Sequence, residues 1–198
     1  MSTPTKRIAF HTLGCKLNFS ETSTISRDFI DQGFEKVDYR DKADIYVLNT
    51  CSVTENADKE AKKLIRQAKR RKPDSAVAVI GCYAQLNPND IAAIDGVNII
   101  LGAKEKFNLL NHLDAIDLNS GTKVLQSKID HVHRFTPSYS SGERTRSFLK
   151  VQDGCDYNCS FCTIPLARGA SRSDTIENTI KVATDVAKTD TREIVLTG

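Results

Sequence analysis

Apolar and polar positions along the first 135 residues fall into blocks that switch between two periods. A short β-prone run at Arg7 to Leu13 is followed by apolar runs at Asp44 to Leu48 (D-I-Y-V-L), Ser75 to Ile80 (S-A-V-A-V-I) and Val97 to Leu101. Each has strand length and the pattern of a strand covered on both faces. Between them the spacing becomes helical. Asn18 with Glu21 three residues on resembles a capping box, Ile25, Phe29 and Ile30 share one helical face, and Gly33 supplies a stop. Ser52 with Glu55 repeats the capping pattern. Ala57, Ala61, Leu64, Ile65 and Ala68 then recur at helical spacing, and Pro73 ends that helix. Shorter helices are expected around Pro88 to Ile94 and over Lys104 to Ala115. Strand–helix alternation with continuous apolar strands predicts an α/β fold: an open, mostly parallel sheet with helices on both faces.

Residues 118–135 hold two β-prone segments, K-V-L-Q and H-V-H-R-F, that fit a hairpin or an edge strand. Thr136 to Thr145 (T-P-S-Y-S-S-G-E-R-T) is turn-rich and reads as a linker. A strand over Ser147 to Gln152, a helix over Ser173 to Lys188 and a strand over Arg192 to Thr197 follow. The expected organisation is a domain over 1–135, a linker over 136–145 and a second unit over 146–198.

Charge changes this picture little. Across 198 residues, 28 Lys and Arg stand against 25 Asp and Glu, a net charge of +3. That excludes a strongly basic or acidic tail. Positive charge concentrates at Lys59, Lys62, Lys63, Arg66, Lys69, Arg70, Arg71 and Lys72, against Glu60. The plain reading is the solvated face of a helix; the functional one is a phosphate-contacting patch for RNA, for which Arg146, Arg168 and Arg172 are further candidates.

Cysteine changes it more. There are six: Cys15, Cys51, Cys82, Cys155, Cys159 and Cys162. Met1 to Ala9 lacks the apolar core of a signal peptide, and Ala76 to Ile80, the longest apolar run, falls far short of the roughly 20 residues of a membrane span. A cytoplasmic protein with reduced thiols is therefore expected. Six such thiols read as metal ligands, redox groups or buried hydrophobes rather than as a disulfide framework.

Cys15, Cys51 and Cys82 each follow the carboxyl end of a predicted strand, the edge where open α/β sheets bind ligands. Three buried structural thiols are the alternative. Cys155-x-x-x-Cys159-x-x-Cys162 follows a strand and an Asp153–Gly154 turn. Three thiolates in so short a loop can wrap one metal cluster. A structural zinc site needs four closed ligands, which His131 or His133 could complete. An iron–sulfur cubane on three cysteines keeps one iron open for a non-protein ligand. His11, His112, His131 and His133 are most simply surface or hydrogen-bonded histidines, and Gly81 and Gly154 serve tight turns.

The C-x-x-x-C-x-x-C loop resembles the radical S-adenosylmethionine (SAM) signature, with Phe161 as the aromatic before its last cysteine. The segment S-F-L-K-V-Q-D-G-C-D-Y-N-C-S-F-C-T-I-P-L-A-R-G, Ser147 to Gly169, is similar to the methylthiotransferase family, which adds a methylthio group to a tRNA adenosine or a ribosomal-protein aspartate. T-L-G-C-K-L-N, V-L-N-T-C-S-V-T and V-I-G-C-Y-A-Q resemble that family's N-terminal domain. The resemblance implies that Cys155, Cys159 and Cys162 hold a 4Fe–4S cluster that binds SAM beside Phe161. It implies an auxiliary 4Fe–4S cluster on Cys15, Cys51 and Cys82 that carries sulfur, a second SAM as methyl donor, a tRNA substrate, and an electron donor such as flavodoxin or ferredoxin.

C-K-L-N, A-D-K-E-A-K-K-L-I-R-Q-A and A-R-G-A-S-R-S resemble the branch acting on N6-threonylcarbamoyladenosine beside the anticodon. The same chemistry on isopentenyl-adenosine tRNA or on a ribosomal-protein aspartate is the near alternative. A non-catalytic iron–sulfur or zinc nucleic-acid-binding module is the distant one. In the family a partial barrel of six β/α units and an RNA-binding TRAM domain complete the enzyme, and this chain resembles only the barrel's opening strand, helix and strand. The 198-residue chain is therefore expected to be a fragment without activity of its own, with 146–198 weakly stable alone.

Overall fold

The computed structural model describes residues 5–51, 55–113, 116, 118, 120–142 and 145–198, the side chains of 55–58 excepted. The apolar runs form β1 (Arg7–Thr12), β3 (Ile45–Thr50), β4 (Ala76–Gly81) and β5 (Ile99–Leu101). With β2 (Glu35–Val37) and β6 (Lys123–Leu125) they make one sheet of order β2-β1-β3-β4-β5-β6. Every neighbouring pair in it is parallel.

Helices cover both faces, as the continuous apolar strands require. Successive side chains of a strand point to opposite faces. On one face Leu48, Val79 and Ile100 pack with Ala61, Ile65 and Ala68 of α2 (Glu55–Arg71). On the other, Val47, Ile80 and Ile99 pack with Ile25 and Phe29 of α1 (Lys16–Asp31). Fully burying a side chain such as Ile65 contributes roughly 1.5–3 kcal/mol. Short helices α3 (Cys82–Leu86) and α4 (Pro88–Ala92) follow β4.

Several local expectations are corrected. Asn18 does not cap a helix: α1 begins two residues earlier, with Cys15 at the cap, and Asn18 and Glu21 are buried inside it. Ile30 is 46% exposed, because the buried stripe runs through Ile25 and Phe29 and the chain leaves the helix at Gly33. Ser52 of the second capping pattern lies outside the described residues. The helix expected over Lys104 to Ala115 becomes a 3-10 turn, Lys106–Asn108, and a single turn α5 (Leu109–His112); Ala115 lies outside the described residues. K-V-L-Q supplies the edge strand β6, parallel to β5, so no hairpin forms; H-V-H-R-F is not a strand, and Ile129–His131 makes a 3-10 turn.

Residues 146–198 carry a two-stranded parallel sheet of β7 (Arg146–Lys150) and β8 (Glu193–Thr197), with α6 (Ile164–Arg168) and α7 (Ile176–Ala187) between them. No closed barrel is present among the described residues. Ile176, Ile180 and Leu196 are exposed. Within 136–145, Tyr139 bridges Leu149 in antiparallel sense, and the Lys150 amide donates to the Ser138 carbonyl at 2.9 Å. Arg27 of α1 stacks 3.9 Å from the Tyr139 ring centroid, which fastens this stretch to the first sheet's helix. No described helix is long and apolar enough to cross a membrane.

Candidate functional site

Parallel pairing sets the first three cysteines side by side. Thr12 pairs with Asn49, and Thr50 with Gly81. Cys51 and Cys82 are the residues that directly follow the two adjacent strands β3 and β4, Cys82 opening the next helix. Cys15 follows β1, the strand on the other side of β3, across Leu13 and Gly14. All six cysteines are free thiols; Cys15 is exposed, Cys51 buried and Cys82 half-buried.

Two glycines shape this edge. Gly14 has φ +102°, and a Cβ there would lie 2.6 Å from Cys51 Cβ and 2.8 Å from its Sγ. Gly81 has φ +99°, and a Cβ there would meet Asn49 Oδ1 and the Thr50 carbonyl at 2.4 Å. Only glycine fits either place without moving a cysteine or its neighbours. Asn18 ties the edge together. Its Nδ2 donates to the Leu13 and Thr50 carbonyls, both at 3.0 Å, and its Oδ1 lies 4.0 Å from Cys15 Sγ.

The second set lies on the loop between β7 and α6. The Cys155 amide donates to the Gly169 carbonyl and the Cys162 amide to the Cys159 carbonyl, both at 3.0 Å. Cys159 is exposed, Cys155 and Cys162 are half-buried, and Phe161 is 89% exposed. Gly154 (φ +81°) fits the expected tight turn, since a Cβ there would meet the Ala170 carbonyl at 2.2 Å. Among the described residues, no three His, Cys, Asp or Glu side chains are close enough to share a single metal ion, and this holds for both cysteine sets as well as for the histidines. His131 and His133 line a cleft of about 500 Å³ with Asp153 and Arg172.

Between the two sets runs a buried charge network that the sequence does not announce. Glu21 of α1 is fully buried and receives Lys106 Nζ at 2.7 Å, Arg168 Nη1 at 3.0 Å and Lys150 Nζ at 3.3 Å. Arg168 Nη1 also reaches Asp153 Oδ1 at 2.8 Å, and its Nη2 donates to Asn18 Oδ1 at 2.5 Å. Arg172 pairs with Asp153 at 3.3 Å. Phe107 and Phe135 each lie 5.0 Å from Lys150 Nζ.

Burial alone would raise the Glu21 carboxyl, but the charges of Arg168, Lys106 and Lys150 overcome it and hold the pKa well below the ordinary range. Burial lowers Lys150, against the pull of Glu21 and Asp153. Burial raises the Cys82 thiol, opposed by Arg168 and Lys106. Four cations here, Lys106, Lys150, Arg168 and Arg172, face two carboxylates, Glu21 and Asp153. The surplus is positive and borders Cys82.

Arg168 is thus not a free phosphate contact, being buried in this network; Arg172 is half-buried with its guanidinium on Asp153, and the exposed Arg146 pairs with Glu193 at 2.7 Å. Asn18 was visible in a capping pattern and in the T-L-G-C-K-L-N motif, Glu21 only in the capping pattern, and Lys150 only as part of the Ser147 to Gln152 strand.

Among the described residues each cysteine set supplies three free thiols, the donor chemistry of an iron–sulfur cluster with one open iron. The Cys15–Cys51–Cys82 edge adds a buried positive surplus suited to the net negative charge of a thiolate-bound cluster. The donor types fit such a group.

Residues 7–102 match the profile described as uncharacterized protein family UPF0004. Threonylcarbamoyladenosine tRNA methylthiotransferase MtaB of Bacillus subtilis (strain 168) is 40% identical over 196 residues, 96% of this chain and 43% of that protein. MtaB of Aquifex aeolicus (strain VF5) is also 40% identical over 196 residues, 97% of this chain and 47% of its own. Over nearly its whole length the chain is similar to these tRNA methylthiotransferases. A tRNA-2-methylthio-N(6)-dimethylallyladenosine synthase of Methylacidiphilum infernorum (isolate V4) is 31% identical over 195 residues, 94% of this chain and 42% of its own. The chain spans less than half the length of these methylthiotransferases. The UPF0004 match includes Cys15, Cys51 and Cys82; the methylthiotransferase matches extend over nearly all of the chain.

Proposed function

We propose that the chain is part of a cytoplasmic radical SAM enzyme that adds a methylthio group to C2 of N6-threonylcarbamoyladenosine beside a tRNA anticodon. The observation that carries the reading is the pairing of two three-thiol sets across one buried, positively charged network. The higher identity to the threonylcarbamoyladenosine enzymes than to the dimethylallyladenosine enzyme favours that substrate.

In this reading Cys15, Cys51 and Cys82 hold one 4Fe–4S cluster, and Cys155, Cys159 and Cys162 hold another. When bound, clusters and SAM supply the one-electron chemistry, the sulfur and the methyl group that side chains lack. The chain's own residues position and shield. Asn18 fixes the approach of Cys15 to the β3 end, and Arg168 joins that edge to the loop that carries Cys155. Burial of Cys51 limits water on the inner side of the edge. The exposed Phe161 ring offers an apolar face for SAM. A flavodoxin or ferredoxin is the class of electron donor such a site takes.

Nucleoside mass spectrometry of tRNA from cells lacking the full-length gene tests the reading. Loss of 2-methylthio-N6-threonylcarbamoyladenosine is expected. Loss of the methylthio-isopentenyl product instead would move the substrate to the dimethylallyl branch, and an unchanged nucleoside profile would overturn the reading.

A further inference from the structure

A cleft of about 770 Å³ opens between β1–β2 and α2. Its lining carries three cations, Lys36, Arg40 and Arg71, against one carboxylate, Asp38. Two residues of its lining each bury a donor with no hydrogen-bond partner among the described residues: the Tyr39 hydroxyl and Arg71 Nη1, just beneath the cleft surface. Burial pushes the Tyr39 pKa far up, so its hydroxyl stays a donor at neutral pH. Burial lowers the pKa of His11, whose ring sits 5.2 Å from that of Tyr39, so it adds no fixed charge. Buried donors left unmatched cost free energy and call for an acceptor.

Two further observations say which acceptor. The exposed Lys63 shares a helical row with Gln67 and Arg71, and Arg66 and Arg70 flank it, so the basic face of α2 runs into the cleft. A second cleft shares Phe10, His11 and Lys36 with the first and reaches Gly14 and Cys15. An extended, regularly charged ligand lying along this path would place phosphates on Arg71 and Tyr39 and run on toward the cysteine edge.

We propose that the Tyr39–Arg71 cleft binds a backbone phosphate of the RNA substrate, an inference that rests on the tRNA reading above. Arg71 donates through its guanidinium, Tyr39 through its hydroxyl, and Lys36 and Arg40 supply field rather than sequence recognition.

The test uses the full-length protein, an unmodified tRNA, and fluorescence anisotropy over a range of salt. Arg71→Gln is expected to weaken binding roughly tenfold and to lower the salt slope by about one. Tyr39→Phe is expected to weaken binding several-fold while the melting temperature of the free protein holds or rises, since an unmatched buried hydroxyl is removed. That divergence separates a ligand contact from a purely structural role. Wild-type affinity and slope in both variants would overturn the cleft proposal and leave the tRNA reading intact. Equal competition by a polyglutamate peptide would also overturn it, in favour of an acidic protein partner. A wild-type protein that binds no tRNA would remove both.

Discussion

Arg168 of α6 places Nη1 3.0 Å from Oε1 of Glu21 in α1, 147 residues earlier in the chain. The pair is buried and shares partners on both sides, since Arg168 also holds Asn18 and Asp153 while Glu21 also holds Lys106 and Lys150. It joins the unit that carries Cys155, Cys159 and Cys162 to the sheet edge that carries Cys15, Cys51 and Cys82.

Removing one member of such a network leaves buried charge without compensation. Glu21→Gln should cost about 3–5 kcal/mol of stability, because Lys106, Lys150 and Arg168 stay buried beside a neutral group. Urea unfolding checks it. A midpoint unchanged from wild type would mean that the network relaxes into water instead.

Gly14→Ala tests how closely the first edge is built. The new methyl would strike Cys51 Cβ and Sγ, in a backbone conformation that disfavours any side chain. Anaerobically reconstituted full-length variant should hold about four irons instead of about eight, one cubane having been lost. Retention of all the iron would show that Cys51 is not a ligand or that the edge yields freely.

Asp44 gives a pH dependence with a defined sign. Burial raises its carboxyl, but the Arg7 amide, which donates at 2.7 Å, and the Lys72 ammonium outweigh burial and depress it. A carboxyl lowered in the folded state stabilises fully above its unfolded pKa of about 4 and loses that contribution as pH falls through the folded value. Urea midpoints of wild type and Asp44→Asn should therefore differ at pH 7 and converge toward pH 3. A constant gap would assign the difference to packing.

Much of the fold was legible in the sequence, for a physical reason. β3, β4 and β5 are buried throughout, so their apolar runs are continuous and carry their own signal, while β1 is buried mainly at Ile8 and Ala9. β2 is three residues, Glu35 to Val37, at an exposed edge, and contributes no apolar run to read. The cysteines at the strand ends were visible because parallel strands deliver such residues to one edge. Asn18 and Glu21 were misread because a local capping pattern and a buried polar pair have the same letters. What decides between them is Arg168, which arrives from the far end of the chain. Tertiary partners at that separation leave no local trace.

The second cysteine set allows a further separation. Cys159→Ala should abolish SAM-dependent cluster reduction and methylthio formation while leaving about four irons on Cys15, Cys51 and Cys82. Iron analysis with electron paramagnetic resonance reads both. Loss of all the iron would show that the two sets do not load independently.

Metal and sulfide analysis of the anaerobically reconstituted full-length protein tests the central claim most directly. Two three-cysteine cubanes require about eight irons and about eight sulfides per chain. Zinc in place of iron, with no acid-labile sulfide, would contradict the account.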